Sequence, residues 1–394
     1  MKGYRRPQRG RRVKIVESTD QRKVIPDVEK LEFGPPSDIF SQALKIALCH
    51  MGDPIEYEQI LCISGRAFKI CWDDEMFFWD RFADKPDPDP ECYLRRDYET
   101  AAGAIEAMGY QSEIILNRDC TRPQENASIS SKGAEAVRDL VLTSIREGRP
   151  VLAQLSASSE HWAPEWSLIT GYDDGGAVIT GWSCFQNEGR EKEELDFEPD
   201  GYFRKSNWEK DLLAAVRIVG EKNSPDGKSP EKDALQFGTT LSSGSEIGNA
   251  SWGFATYERW ARALEDESNS SVDGDLLKGR LRYYTHFIGH LAAQKWYTAA
   301  FLKEMKTSVG NVSDVLHAAA NYAKIHELMW ECWKVAGGYW RDSDGEIEKF
   351  RNIEARQKIA AIVREVGELD RAAVTHMESA LAAWDKPHAY YMTP

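Results

Sequence analysis

The spacing of apolar residues changes at residues 222–230, and that change divides the chain. Before this segment apolar residues follow both helical and alternating spacings, whereas after it they follow the helical spacing alone. The dividing segment is rich in proline, glycine and charge, which is typical of a linker. We therefore expect a basic arm at 1–29, a mixed domain at 30–222, a linker at 223–230 and a helical domain at 231–394.

The mixed domain is expected to begin with helices and to continue as a sheet. A Pro-Pro-Ser-Asp sequence precedes the first helix, which has Ser37 or Asp38 as its N-cap and ends at Gly52. Alternating apolar residues then predict strands, two of them joined by a hairpin turn at 173–176. The further helices are expected at about 56–64, 96–109 and 133–147, and the strands at 150–155, 166–171, 177–182 and 213–219.

The part after the linker has no segment that resembles a strand. Its apolar residues predict helices, and such stripes bury themselves only against one another, so we expect an antiparallel bundle. The four predicted helices are 252–264, 281–304, 314–333 and 353–384. The whole chain is therefore expected to be α+β, with helices packed on an antiparallel sheet followed by an all-α bundle.

Charge and composition exclude several classes of function. The 394 residues carry a net charge of −14, and the first fourteen residues hold seven basic side chains, which leaves −21 for the remainder. A body this acidic repels phosphate backbones, so no nucleic-acid partner is expected. The sequence has neither an apolar run of the roughly 20 residues that span a membrane nor a leader, which predicts a cytoplasmic protein without a membrane partner.

The seven cysteines are irregularly spaced and include no Cys-x-x-Cys. This spacing argues against a disulfide framework and against a structural zinc site. Reduced, mostly buried thiols are expected, together with no metal and no cofactor.

Three segments of the first half resemble a known family. They are FGPPSDIFSQALKIALCHMG at 33–52, YEQILCISGRAF at 57–68 and EWSLITGYDD at 165–174. In this order they are similar to the family named for the N-terminal domain of butirosin biosynthesis protein H, which is itself similar to papain-like peptidases. The resemblance covers roughly residues 30–220 and implies a papain-like fold.

The resemblance also implies a Cys-His-Asp triad, and this sequence departs from it at every position. The nucleophile position at the start of the first helix falls on Ile39, beside Phe40 and Ser41. The histidine position, six residues before Gly171, is Glu165, and the Asp position falls near 182–183, which are Trp and Ser. Thiol proteolysis by this triad is therefore not expected.

Three residues are candidates for catalysis in place of the triad. Glu165 is a carboxylate that can act as a general base or bind a cation, and it can equally form an ion pair. His161 lies four residues earlier in a loop, and Ser41 needs a base beside it to act as a nucleophile.

A ligand is expected in the cleft between the first helix, the 64–80 segment and the Glu165 loop. The aromatic residues there suit a cationic ligand, although aromatics this dense also fill protein cores. The predicted ligand-binding residues are Asp38, Phe40, Trp72, Trp79 and Trp166. Cys62 and Cys71 are alternative, displaced nucleophiles in apolar stretches, where an inert buried thiol is the other interpretation.

The helical half offers one arrangement with metal-binding chemistry. His286 and His290 share a helix face, as do Glu327 and Glu331 on the next predicted helix, so a site between the helices is geometrically conceivable. The order of these residues does not match a known ligand motif. His326 lies in the apolar stripe of its helix and is expected to be a hydrogen-bonded core residue.

These observations lead to two function hypotheses and one variant. The first is a small-molecule-handling protein of specialised metabolism that acts on an amine- or amide-containing substrate, with Glu165 as base. The second is a non-catalytic binding or assembly partner that dimerises through its bundle. The variant is an acyltransferase that uses Cys62 or Cys71.

Overall fold

The structure is a computed structural model of the 394-residue chain. It describes residues 21–32, 38–74, 101–117, 130–155, 165–184, 186, 195–223, 229–247, 250–272, 274–305, 312–338 and 344–384. Within these ranges no helix combines the length and the apolar character that crossing a membrane requires.

The first half is built on one large, mainly antiparallel sheet. Its strands lie in the order β4-β3-β10-β5-β6-β7-β9-β8, and β1 pairs with β6 outside this path. Only the β3–β4 pair among them is parallel. The strands are β1 (Lys23–Val24), β3 (Gln111–Asn117), β4 (Ser130–Lys132), β5 (Val151–Leu155), β6 (Glu165–Asp173), β7 (Val178–Ser183), β8 (Asp196–Phe197), β9 (Phe203–Ser206) and β10 (Leu212–Val219); β2 (Cys71–Asp73) belongs to a second sheet.

The hairpin predicted at 173–176 is present and joins β6 to β7. Asp174, Gly175 and Gly176 all have positive φ angles, of 50°, 60° and 97°. Glycine adopts such angles without steric cost, so the pair of glycines allows the tight connection.

The predicted arm at 1–29 is wrong for its last residues. Lys23 lies opposite Tyr172 in the β1–β6 pair, and the Arg22 guanidinium pairs with the carboxylates of Asp173 and Glu198. Ile25 and Val28 are buried in the core of the sheet. Burial of these side chains fixes the segment to the domain, so residues 21–32 belong to the mixed domain, and residues 1–20 lie outside the described part of the chain.

Four described helices accompany the sheet. They are α1 (Ile39–His50), α2 (Tyr57–Ile63), α3, which is helical across the described residues 101–107, and α4 (Ala134–Arg146). Asp38, one of the two residues that the sequence offers as the cap, caps α1, and Glu56 with Gln59 forms a capping box at the start of α2. Four of the predicted helices are thereby confirmed, with ends that differ from the structure by a few residues.

The second half is a bundle of long helices with a small sheet at one side. Its helices are α5 (Pro230–Ser243), α6 (Ala255–Glu265), α7 (Gly274–Glu304), α8 (Val312–Ala336), α9 (Asp344–Arg351) and α10 (Ile353–Trp384). The sheet contains β11 (Ser245–Ile247), β12 (Ala250–Trp252) and β2 of the first half. The expectation of no strand after the linker is therefore wrong, because two three-residue strands carry no readable alternation.

The structure has two buried cores, and residues of the first half contribute to both. One core contains the sheet with α1 and α4, and the other contains the bundle together with much of residues 57–73. Helix α2 contributes Ile60 to the first core and Leu61 and Cys62 to the second. The predicted boundaries at 222 and 231 therefore separate two kinds of sequence, but residues from both sides of them pack in one core.

Candidate functional site

The start of α1, where the family resemblance places its nucleophile, holds an ion pair. The Asp38 carboxylate accepts the Ser41 backbone N–H at 2.7 Å through Oδ1 and pairs with Arg66 Nη1 at 3.0 Å through Oδ2. Both side chains are only 11% exposed. The Asp38 backbone N–H donates to the Tyr57 hydroxyl at 3.1 Å, so the cap is held from two sides. A pair this shielded from solvent is a stronger electrostatic contact than an exposed pair.

The residues beside the nucleophile position are buried. Phe40 is inaccessible, with the Arg66 guanidinium 4.6 Å above its ring and the Trp166 ring 5.0 Å away in an edge-on arrangement. Ser41 is equally buried, and its hydroxyl finds no hydrogen-bond partner among the described residues. The structure therefore brings three of the predicted ligand-binding residues, Asp38, Phe40 and Trp166, together at one place.

The Phe40–Trp166 contact also locates Glu165. Glu165 is the first residue of β6 and lies opposite Leu155 of β5, one residue from Trp166. The start of β6 thus lies beside the start of α1, which is the juxtaposition that a triad would need. The Glu165 side chain, His161 and Trp79 lie outside the described residues.

Trp72 does not line a cleft, and this part of the prediction is wrong. Its side chain is fully buried on β2, stacked on Trp260 at 5.7 Å, with Phe287 and two tyrosines of α7 around it. The alternative that the sequence left open, an aromatic core, is confirmed for this residue.

The structure favours the inert-thiol interpretation at Cys62. This thiol is fully buried on α2, and loss of hydration raises its pKa well above the usual value despite a hydrogen bond with Thr298. A thiol that stays protonated is a poor nucleophile. Cys71 is half-buried on β2, opposite Trp252.

A histidine that the sequence indicated only as a possible metal ligand lies close to this site. His290 of α7 is half-buried; burial lowers its pKa, whereas the charge of Asp38 raises it and those of Arg66 and Lys69 lower it. Its Nε2 lies 2.9 Å from the Gln294 amide nitrogen, which also donates to the carbonyls of Arg66 and Lys69. The imidazole thus comes from the bundle, far along the chain, and only its position on the face away from the apolar stripe could have indicated it.

The metal site considered between helices does not form from the described residues. Glu327 and Glu331 point to lysines of their own helix, Lys324 and Lys334. The His286 side chain lies outside the described part of the structure. His326 is half-buried rather than a core residue, although it is hydrogen-bonded, with Nδ1 at 2.9 Å from the Ala292 carbonyl oxygen.

A second polar cluster, not predicted from the sequence, lies inside the bundle. Lys295 and Asp370 are each 1% exposed and pair at 3.1 Å, and the Tyr257 hydroxyl donates to the same carboxylate at 2.6 Å. The Lys295 ammonium lies 4.6 Å from the centre of the Tyr322 ring. Burial, then the nearby Asp370 charge, raises the pKa of Tyr257 well above its usual value. The sequence does contain one signal for this cluster, because Asp370 is a carboxylate within the apolar stripe of α10.

No family model matches the chain, and no curated protein matches it. Functional conclusions therefore rest on the geometry of the structure.

Proposed function

We propose that this protein handles a small amine- or amide-containing molecule on a papain-like scaffold that has lost the Cys-His-Asp triad. The Phe40–Trp166 contact carries the proposal, because it sets the start of β6, where Glu165 stands, against the start of α1. Glu165 then takes the place of the family's histidine, as a base or as the partner of a ligand cation.

The charged groups around this position support the same proposal. Asp38 and Arg66 form a shielded pair at the start of α1, and His290 lies within their electrostatic influence. Such a group of titratable side chains at the meeting point of two elements is a common feature of binding and catalytic sites. A pocket at this place would thus still have charged groups around it, although they are not the Cys-His-Asp triad that the family resemblance implies.

Glu165→Gln tests the proposal. Purified protein is examined by native mass spectrometry for a retained small molecule and by thermal shift against a panel of small primary amines and amides. A charge-assisted hydrogen bond contributes enough that its loss should weaken ligand binding about tenfold or more. Glu113→Gln, on β3 of the same sheet, is the matched control and should bind as the unaltered protein does.

Equal ligand retention and equal thermal shifts in the two variants would overturn the role of Glu165. Circular dichroism of both variants establishes that each is folded, so a loss confined to Glu165→Gln cannot arise from unfolding.

A specific surface favours a second function, assembly of two copies through the bundle. Trp330 of α8 is 45% exposed and Trp296 of α7 is 54% exposed, and Val312 and Leu316 are exposed near the start of α8. Residues 312 and 330 are five helical turns apart and so share one face. Exposed apolar residues along a helix are typical of a contact with a second helix, and a second copy supplies an identical stripe.

Sedimentation equilibrium tests this second function. The unaltered chain is expected to dimerise, the double variant Trp296→Ser with Trp330→Ser to be monomeric, and Leu276→Ser to dimerise. Leu276 is a matched control because it is an exposed apolar residue of α7, at 39%. A monomer at every concentration of the unaltered chain would exclude assembly through this stripe.

A further inference from the structure

Two histidines and an aspartate meet where α8 begins and α10 passes it. Asp314 and His317 are three residues apart on α8 and therefore lie on one face, and His376 comes from α10. One potential ligand atom from each side chain lies within 4.8 Å of the others. This group lies in the bundle and involves none of the residues of the proposed ligand site.

We propose that Asp314, His317 and His376 bind a divalent transition-metal ion of the Zn²⁺ type. Two imidazole nitrogens and one carboxylate oxygen are borderline ligands that suit Zn²⁺ better than Mg²⁺ or Ca²⁺, which prefer oxygen alone. Three protein ligands leave a fourth tetrahedral position for water or another small ligand.

The present spacing needs little adjustment to accept the ion. Zinc–ligand bonds of about 2.0–2.1 Å place tetrahedral ligand atoms about 3.3 Å apart. His376 Nδ1 lies 2.8 Å from Asp314 Oδ1, and the rings of His317 and His376 are 5.0 Å apart between centres. Side-chain rotation alone can bring the three atoms to the required distance, because His317 is exposed and the other two are half-buried.

The surroundings of the carboxylate are those of an oriented ligand. The Ser379 hydroxyl donates to Asp314 Oδ2 at 2.5 Å, which leaves Oδ1 directed at His376. A hydrogen bond to a ligating carboxylate fixes its orientation and commonly raises metal affinity.

The alternative to a metal site is a clasp, meaning a hydrogen-bonded contact that joins the two helices without a metal. The position of His317 distinguishes the two. The Asp314–His376 hydrogen bond and the Ser379 hydrogen bond already join α8 to α10 without His317. Within the described part of the chain, the His317 ring contacts the second imidazole ring. A shared cation accounts for two neighbouring imidazoles and a carboxylate, whereas a clasp needs only one imidazole.

The experiment is a Zn²⁺ titration of the chelator-treated full chain by calorimetry, with Co²⁺ absorption as a spectroscopic measure of coordination. One Zn²⁺ per chain and four-coordinate Co²⁺ bands are expected. His317→Ala and His376→Ala should lose this binding, and Ser379→Ala should weaken it about 10–100-fold. His326→Ala is the matched control, since it removes a histidine of the same helix that lies outside the group and should leave binding unchanged.

Two results would overturn the proposal. One is the absence of stoichiometric Zn²⁺ binding by the unaltered chain. The other is an affinity in His317→Ala equal to that of His326→Ala, with both variants folded by circular dichroism, which would leave Asp314 and His376 as a clasp only.

Discussion

At the scale of single residues, two shielded acid–base pairs among the described residues combine charges of opposite sign in places with little access to water. Asp38 has Arg66, and Lys295 has Asp370 with a tyrosine hydroxyl as well. An ion removed from water is costly, and the cost is offset only while the partner is in place. Removing one partner should therefore destabilise more than the pair itself stabilises.

Asp370→Ala is expected to lower the free energy of unfolding by about 3–5 kcal/mol, because it leaves the Lys295 ammonium buried without a counter-charge. Urea unfolding followed by circular dichroism measures the change. Glu368→Ala, which removes an exposed carboxylate paired with Arg371 one turn along α10, should cost under about 1 kcal/mol. Similar costs for the two variants would contradict the importance of the buried pair.

Local signals identified some of these residues and missed others. The Asp38 cap is predictable because a Pro-Pro-Ser-Asp sequence marks the start of a helix by itself. The sequence indicated His290 only as a possible metal ligand and did not indicate Lys295, since the carboxylates near them, Asp38 and Asp370, lie far away in the chain. Trp72 was assigned to a cleft because composition alone does not separate an aromatic wall from an aromatic core.

At the scale of elements, the long helices were predictable and the short strands were not. The 31- and 32-residue helices α7 and α10 repeat their apolar spacing over many turns. By contrast β11 and β12 have three residues each, and the pairing of β12 with β2 joins segments about 180 residues apart in the chain. Apolar spacing shows the period of an element and not its partner, so such contacts remain hidden in a single sequence.

Helices α6 and α10 are joined by an arginine that contacts two carboxylates. Arg364 bonds to Glu258 at 2.9 Å and to Glu265 at 2.7 and 2.8 Å. These hydrogen bonds lower the pKa of both glutamates in the folded state. A carboxyl group with a lowered folded-state pKa stabilises the fold above its unfolded pKa, and this contribution is lost as the pH falls through the folded-state value.

Arg364→Met should therefore reduce stability at pH 7 by at most about 1 kcal/mol, since all three side chains are more than a third exposed. The difference from the unaltered chain should shrink as the pH is lowered from 5 to about 3, where glutamates near their usual pKa of about 4.3 become protonated. Urea unfolding at several pH values measures this. Lys324→Met, which breaks an exposed pair within α8, is the control and should show no such trend.

At the scale of the whole molecule, the linker predicted at 223–230 separates two sequence textures without separating two independent cores. The α+β architecture was predicted correctly at the coarse level, as a sheet with helices followed by a helical region. The interleaving was not, because α2 and β2 precede most of the sheet in the chain and yet pack with the bundle. Their apolar residues indicated burial without indicating against what.

The sharing of α2 and β2 has a consequence for inheritance. A gene fragment that encodes the sheet alone would leave Leu61, Phe68 and Trp72 without the helices that cover them. A fragment that encodes the helices alone would lack the edge against which β12 pairs. Recombination that exchanges one half for an unrelated module would thus expose an apolar surface. The two halves are therefore expected to be inherited together and to diverge together.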